Sequence, residues 1–237
     1  MNRPLIYAHR GASAHARENT NEAYALAVEV GADGVELDVR RSRDGALVIH
    51  HDDRVAPDAL PLVDLDLRQI KATTPWVPTL DEAWHTLGPT TLLNIEIKND
   101  PREADHDATH SLARTVADWV ETHDTDGRLL VSSFNWDTLD ALRRMAPNTP
   151  TGLLAGEALD PLSVVARAAA EGHASVNLPL SRTLSDAERI VAAAGVIPVL
   201  VWTVNEPDTA ISLAAAGISG IFTDDPALMV STFIGRS

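Results

Sequence analysis

Two short stretches of the chain alternate apolar residues with ionisable ones: Gly34-Val35-Glu36-Leu37-Asp38-Val39 and Leu93-Asn94-Ile95-Glu96-Ile97-Lys98. In an extended strand successive side chains point to opposite faces, so Glu36 and Asp38 share one face, and so do Asn94, Glu96 and Lys98. Carboxylates aimed at an apolar interior are costly to bury unless something pairs them. Hard-cation coordination by Glu36, Asp38 and Glu96 would do so, since oxygen-only ligand sets suit Mg²⁺ or Ca²⁺. His9 and His51 close two other apolar runs. Two imidazoles beside a divalent cation suit general acid–base cleavage of a phosphodiester. One removes a proton from the nucleophile and the other protonates the leaving alkoxide.

The elements that must position these groups are short runs rich in Val, Ile and Leu, alternating with longer segments of helical period. Strands are expected at Leu5–His9, Gly34–Arg40, Leu47–His51, Thr91–Lys98, Leu129–Ser133, Gly152–Ala155, Ser175–Leu178, Ile197–Val204 and Gly220–Thr223. Helices are expected to begin near Thr20, Leu80, Asp107, Asp137, Pro161, Ser185, Pro207 and Pro226, with Asn135 and Asp160 as caps. Only Arg41 to Ala46, carrying Asp44-Gly45, joins the second run to the third. That is too short for a parallel crossover but right for a hairpin. Setting that arm aside leaves eight strands and eight helices, the count of a (β/α)₈ TIM barrel with an antiparallel hairpin arm after the second strand. Such barrels carry their active sites at the C-terminal ends of the strands, where His9, Glu36, Asp38 and Glu96 fall. A turn centred on Arg43-Asp44 places opposite one another residues whose numbers sum to about 87, setting His51 against Glu36 and His50 on the other side.

Composition narrows the partners. The chain has 237 residues, 45% of them hydrophobic and 22% charged, and no low-complexity or Pro/Gly/Ser-rich linker, so one domain over residues 1–237 is expected. Zero cysteines exclude disulfides, thiolate zinc, iron–sulfur clusters and thiol nucleophiles. A formal net charge of −15 opposes nucleic-acid binding and adhesion to anionic membranes. It still admits a small phosphodiester if a cation stands between protein and ligand. No uninterrupted apolar run is long enough to span a bilayer, and the opening residues lack a secretory pattern, so no stable membrane insertion and a cytoplasmic location are expected. The sequence is silent on oligomeric state.

The ordered set Ala8-His9-Arg10-Gly11, Glu18-Asn19-Thr20, Gly31-Ala32-Asp33-Gly34-Val35-Glu36-Leu37-Asp38-Val39, Asp44-Gly45 and His51-Asp52 resembles the glycerophosphodiester phosphodiesterase family. The likeness continues through Val77-Pro78-Thr79-Leu80, Asn94-Ile95-Glu96-Ile97-Lys98, Ser133-Phe134, Val201-Trp202-Thr203-Val204-Asn205 and Phe222-Thr223-Asp224-Asp225-Pro226. It implies cation-dependent hydrolysis of a small glycerophosphodiester to sn-glycerol 3-phosphate and an alcohol. The positions of Glu36, Asp38 and Glu96 would hold Mg²⁺ or Ca²⁺, and His9 and His51 would be the catalytic pair. Arg10 and Lys98 would meet the phosphate, Trp202 would line the pocket, and Glu18 and Asn19 would orient Arg10 or a metal ligand. Two departures stand out. Arg17 replaces the proline usual before Glu-Asn-Thr, and Asp53 to Trp76 is too brief for the large subdomain some members insert there. That brevity keeps lysophospholipids and other phosphodiesters open as substrates, alongside a barrel lyase using Lys98 as a Schiff base.

The other reactive side chains read as structural. His50 is expected to pack behind the sheet, and His106 and His110 to lie on a solvated helix face. His15 lies close to the first loop and could reach substrate, with a structural role the favoured reading. Trp84 and Trp119 fall on apolar helix stripes, whereas Trp202 stands at a strand end as a pocket wall. Ser132 and Ser133 lack a nucleophile elbow and are expected to line a strand end.

Overall fold

The computed structural model describes residues 3–234 apart from 124 and 126. In chain order the elements are β1 (Leu5–His9), α1 (Asn21–Glu29), β2 (Gly34–Arg41), β3 (Leu47–Ile49), α2 (Leu67–Thr73), α3 (Leu80–Leu87), β4 (Leu92–Ile97), α4 (Ser111–Thr122), β5 (Leu129–Ser133) and α5 (Trp136–Met145). They continue with β6 (Thr151–Leu154), α6 (Pro161–Glu171), β7 (Ser175–Pro179), α7 (Leu180–Thr183), α8 (Ala187–Ala194), β8 (Val199–Trp202), α9 (Pro207–Ala215), β9 (Gly220–Thr223) and α10 (Pro226–Phe233). Eight parallel strands run β1-β2-β4-β5-β6-β7-β8-β9, and β9 pairs back with β1 to close the barrel. The ninth strand, β3, pairs outside the barrel and antiparallel to β2. This is the (β/α)₈ barrel with a hairpin arm.

Strand parity divides the core in two. Outward residues such as Val35, Leu37, Ile95, Val131, Val176 and Ile221 are fully buried under the helices. Inward, Tyr7, Leu200 and Phe222 pack with Leu92, Leu130 and Trp202 and fill the barrel axis. Helix starts follow local chemistry: Thr20 accepts from Ala23 N, Thr79 and Glu82 form a capping box, and Pro161, Pro207 and Pro226 occupy first turns.

Several expectations are corrected. Asp160 caps α6 with its side chain, whereas Asn135 occupies the N-cap position of α5 but makes no side-chain cap bond, its amide donating instead to Asn99 O at 2.8 Å. Helix α4 starts at Ser111, because the Asp107 carboxylate accepts from the Thr109 and Ser111 amides and holds residues 107–110 in a turn. His106 and His110 accordingly lie at this turn rather than on a helix, His106 exposed but bonded to Asn99 and half-buried His110 bonded to Thr138. The segment after His51 contains an unforeseen helix, α2, whose Ile70 packs with Val48, Leu62 and Val77 in a small cluster against the arm. Asp66 and Gln69 form its capping box. Within this segment, Leu62 N donates to Asp53 O at 2.8 Å, so residues 54–61 leave and return through one neck.

The hairpin register also differs by one. Ser42 and Ala46 close a three-residue loop in which Gly45 has φ 88°, a left-handed position that favours glycine. Val39 consequently faces Ile49, and Arg40 faces Val48. Continued pairing would send His50, not His51, toward the carboxylates. The chain instead leaves the ladder after His50 N bonds Asp38 O and bends at His51. His50 turns away to pack against Trp76, with ring centroids 5.7 Å apart and the ring planes tilted at 46°.

Candidate active site

Register brings the acids together at the C-terminal ends of the strands. His9 lies beside Glu36, Glu36 beside Asn94, and Asp38 beside Glu96. Glu36, Asp38 and Glu96 each offer a carboxylate oxygen within 4.8 Å of the others, and all three residues are buried. Arg10 and Lys98 neutralise much of this charge. Lys98 Nζ lies 2.9 Å from Asp38 Oδ1 and 2.5 Å from Glu96 Oε1. Arg10 donates its backbone N–H to Glu36 Oε2 at 3.0 Å, while its Nε lies 3.3 Å from Asp38 Oδ2.

The first loop supports those contacts. Glu18 accepts two bonds from the Arg10 guanidinium, each 3.1 Å, and Asn19 Nδ2 donates to Asp38 Oδ2 at 2.7 Å. Tyr24 in α1 donates to Asn19 Oδ1 and fixes that amide. Arg10 and Asn19 both adopt left-handed φ, 57° and 56°, and Asn19 N bonds Arg10 O. A strained backbone at Arg10 is tolerated where so many partners over-determine it.

Electrostatics single out Glu36. Burial, then the Asp38 and Glu96 charges, push its carboxyl well above the carboxylate range. Burial alone would raise Asp38 too, but Lys98 and Arg10 outweigh it and hold that carboxyl well below its ordinary value. Lys98 is raised, since Glu96 and Asp38 more than offset its desolvation. Glu36 Oε1 is buried with no hydrogen-bond partner. An oxygen-only set with an unpartnered, destabilised carboxylate fits a hard divalent cation.

The histidines arrive by different routes. His9 sits at the end of β1, its Nδ1 2.7 Å from Asp224 Oδ1 just past β9. Asn205 Nδ2 donates to Asp224 Oδ2 at 2.7 Å, and Asn205 Oδ1 accepts from Asp224 N and Thr223 Oγ1. Burial would lower the His9 pKa, but the Asp224 bond and the Glu36 charge raise it, while Asp224 is held at about 2, first by its bond to His9. His51 Nδ1 lies 2.8 Å from Asp52 Oδ1. Its backbone is anchored by fully buried Arg40, which donates to the carbonyls of His50 and His51 and pairs with Glu103 and Asp105.

One cavity of about 160 Å³ collects these groups. His9, Arg10, Glu36, His51, Glu96 and Lys98 line it, and Trp202 forms a wall with Phe134 packed edge-on at 5.7 Å. Asp38 stands behind, enclosed by Lys98, Arg10 and Asn19. His15 is outside, tied to Asp225 Oδ1 at 3.1 Å. Ser133 donates to Ile97 O and Ser132 Oγ accepts from Asn94, so neither is poised as a nucleophile. Asp224, Asn205 and Arg40 hold the two histidines in place, contacts that the sequence did not reveal. For Arg40 a signal existed, since it continues the Glu36–Asp38 face.

A closed barrel that gathers buried acids, cations and imidazoles at the C-terminal rim of its strands is the layout of a barrel enzyme able to pair a cation seat with proton transfer. The comparisons narrow this further. The chain belongs to the glycerophosphoryl diester phosphodiesterase family, whose model matches residues 9–228. It is 29% identical over 243 residues, 96% of each chain, to the glycerophosphodiester phosphodiesterase of Caldanaerobacter subterraneus subsp. tengcongensis. The crystal structure of the Thermotoga maritima glycerophosphodiester phosphodiesterase is similar with a TM-score of 0.84 and 29% identity, over 98% of this chain and 99% of that one. An Oleispira antarctica phosphodiesterase solved with the product sn-glycerol-3-phosphate has a TM-score of 0.85 and 26% identity, over 98% and 97% of the two chains. Family membership and this product-bound neighbour support glycerophosphodiester hydrolysis as the reaction class. Among the described residues no helix is long and apolar enough to cross a membrane.

Proposed function

We propose that residues 1–237 act as one barrel domain that hydrolyses small glycerophosphodiesters to sn-glycerol 3-phosphate and an alcohol, with a divalent cation and two histidines. The observation that carries this reading is the convergence of three buried carboxylates beside His9 and His51, with Glu36 Oε1 met by neither a hydrogen bond nor the Lys98 ammonium that contacts the other two. Glu36, Asp38 and Glu96 would hold Mg²⁺ or Ca²⁺, which when bound supplies a Lewis acid for a phosphoryl oxygen. Arg10 and Lys98 add positive charge where the phosphoryl oxygens become more negative. Each histidine uses Nδ1 on a carboxylate, His9 on Asp224 and His51 on Asp52, which leaves Nε2 for the reaction. One Nε2 takes a proton from the attacking water as its O–P bond forms, or from the substrate's own glycerol hydroxyl to give a cyclic phosphate that water then opens. The other gives a proton to the departing alkoxide as that P–O bond breaks. Lys98 is held as an ammonium between two carboxylates, which removes the nucleophile a Schiff-base lyase would need.

The test is release of sn-glycerol 3-phosphate from glycerophosphocholine, before and after chelation, in wild type and in Glu36→Gln with Glu96→Gln. Loss on chelation, recovery with Mg²⁺ or Ca²⁺, and an inactive double variant are expected. Full activity in chelator would sink the proposal. A second reading, with lysophospholipids as substrates, draws on the exposed Phe134 beside Trp202 and on the adjoining groove between Phe134, Trp136 and Leu159. Turnover of lysophosphatidylcholine faster than glycerophosphocholine would favour it.

A further inference from the structure

Beside Glu36 and beneath Asp38 and Glu96 the barrel carries buried amides that the proposed mechanism leaves unused. Asn94 in β4 and Asn177 in β7 line the same cavity and are 2% and 0% exposed. Asn94 Nδ2 donates to Ser132 Oγ at 3.0 Å, and Asn177 Oδ1 accepts from Ser175 Oγ at 2.9 Å. Each amide is thereby held by one serine, while Asn94 Oδ1 and Asn177 Nδ2 are buried with no hydrogen-bond partner. Turning either amide over exchanges its oxygen and nitrogen but still leaves one polar atom unpartnered, so the deficit does not depend on amide orientation. Leaving a buried amide atom unpaired costs about 1–3 kcal/mol, so two of them on one cavity mark an unmet demand.

The surroundings specify what would meet it. The amides are neutral, whereas Arg10 and Lys98 are committed to the acids. Apart from Glu36 beside Asn94, the cavity offers apolar walls: Phe134, Leu154, Phe222 and Trp202. Room for the amide is built in at Gly152, where a Cβ would come within 2.5 Å of Ser175 Oγ and 3.2 Å of Asn177 Oδ1. A neutral ligand with hydroxyls, each able both to donate and to accept, matches one free acceptor and one free donor between apolar walls.

We propose that Asn94 and Asn177 form a hydroxyl-recognising subsite that binds the polyol side of the substrate. This rests on the glycerophosphodiester reading and deepens it: selection for glycerol over a plain alkyl ester is made by two amides on the barrel floor. The residues touch substrate but move no proton.

The test compares glycerophosphocholine with analogues lacking one glycerol hydroxyl, in wild type, Asn94→Leu and Asn177→Leu. Wild type is expected to prefer the complete diol in kcat/KM by about tenfold or more per hydroxyl. The leucine variants are expected to lose that preference, their kcat/KM on the complete diol falling to the level of the deoxy analogues. A leucine variant that melts early is replaced by Asn94→Ala or Asn177→Ala, which delete the amide without adding bulk. An equal fall on all substrates would overturn the inference, because it would mean general damage. An unchanged preference would overturn it too, leaving buried water as the partner of the amides. If wild type hydrolyses no glycerophosphodiester, the reading of function fails, and the subsite is judged on binding alone. Glycerol then raises the melting temperature of wild type but not of the variants if the inference holds, and raises neither if it is wrong.

Discussion

Asp224→Asn isolates the support of His9 from the chemistry of the pocket. Both Asp224 oxygens accept: Oδ1 faces His9 Nδ1 and Oδ2 faces Asn205 Nδ2. Asn205 cannot turn to help, because its Oδ1 is already held by Asp224 N at 2.9 Å and Thr223 Oγ1 at 3.1 Å. The new amide must therefore aim its NH₂ at the Asn205 NH₂ or at His9 Nδ1. The second choice turns a donor–donor clash into a hydrogen bond by moving the imidazole proton to Nε2. The nitrogen facing the pocket then carries hydrogen and cannot accept a proton. Loss of a positioned acid–base group costs about 10²–10⁴ in rate, or roughly 3–5 kcal/mol of barrier. Asp224 is not among the cavity-lining residues, so the fall belongs in kcat with KM little changed. The assay is initial-rate release of sn-glycerol 3-phosphate, coupled to its dehydrogenase, with a thermal melt to show that the variant is folded. A folded Asp224→Asn enzyme whose kcat stays within about threefold of wild type, under 1 kcal/mol of barrier, would refute the tautomer argument.

Arg40→Met should strip the partner from Asp105, whose side chain is only 5% exposed, and from the His51 carbonyl. A loss of about 3–5 kcal/mol is expected, on the order of 10 °C in Tm, with activity falling as His51 loosens; a melt within a degree or two of wild type would contradict it. Asp107→Ala removes the acceptor for the Thr109 and Ser111 amides and should cost about 1 kcal/mol. Although burial opposes it, bonding to Ser111 and Thr109 keeps the Asp107 carboxyl well below its ordinary 3.8, so its stabilisation is complete above that pH and fades as pH falls below it. The melting difference between wild type and Asp107→Ala should thus be full at neutral pH and shrink in acid; growth in acid would reverse the sign. Gly11→Ala should lower both Tm and kcat, since Gly11 has φ 83° and its Cβ would meet Ala23 Cβ at 2.7 Å beside Arg10. Wild-type kinetics in that variant would remove the reason for a glycine there.

The barrel was legible because parallel strands buried on both faces read as short apolar runs, with the inward ionisable residues gathered toward their C-terminal ends. Glu36, Asp38, Glu96 and Lys98 followed from period-two alternation alone. What the sequence hid was of two kinds. A single left-handed residue, Gly45, adds a residue to the hairpin loop and shifts the register, so His51 reaches the cavity by a bend rather than by pairing. Long-range pairings were the other kind. His9 and Asp224 lie 215 positions apart and meet only because β9 closes against β1, a contact no local pattern encodes. Helix α2 was missed because its seven residues are too few for a clear helical period, although Asp66 and Gln69 had the spacing of a capping box.

The neck at Asp53 and Leu62 bears on how this scaffold can grow. Its two ends are joined by a backbone hydrogen bond, and Asp53 is also bonded to Ala104 N, so the chain on either side is fixed whatever lies between. Closing a loop whose ends are already pinned costs only about 0.6 kcal/mol for each doubling of its length. An added subdomain at residues 54–61 would therefore leave His51 and Arg40 undisturbed while changing what roofs the cavity. What roofs the cavity and what lines it are free to vary separately, because the graft point lies downstream of His51, the last residue of the arm that reaches the cavity.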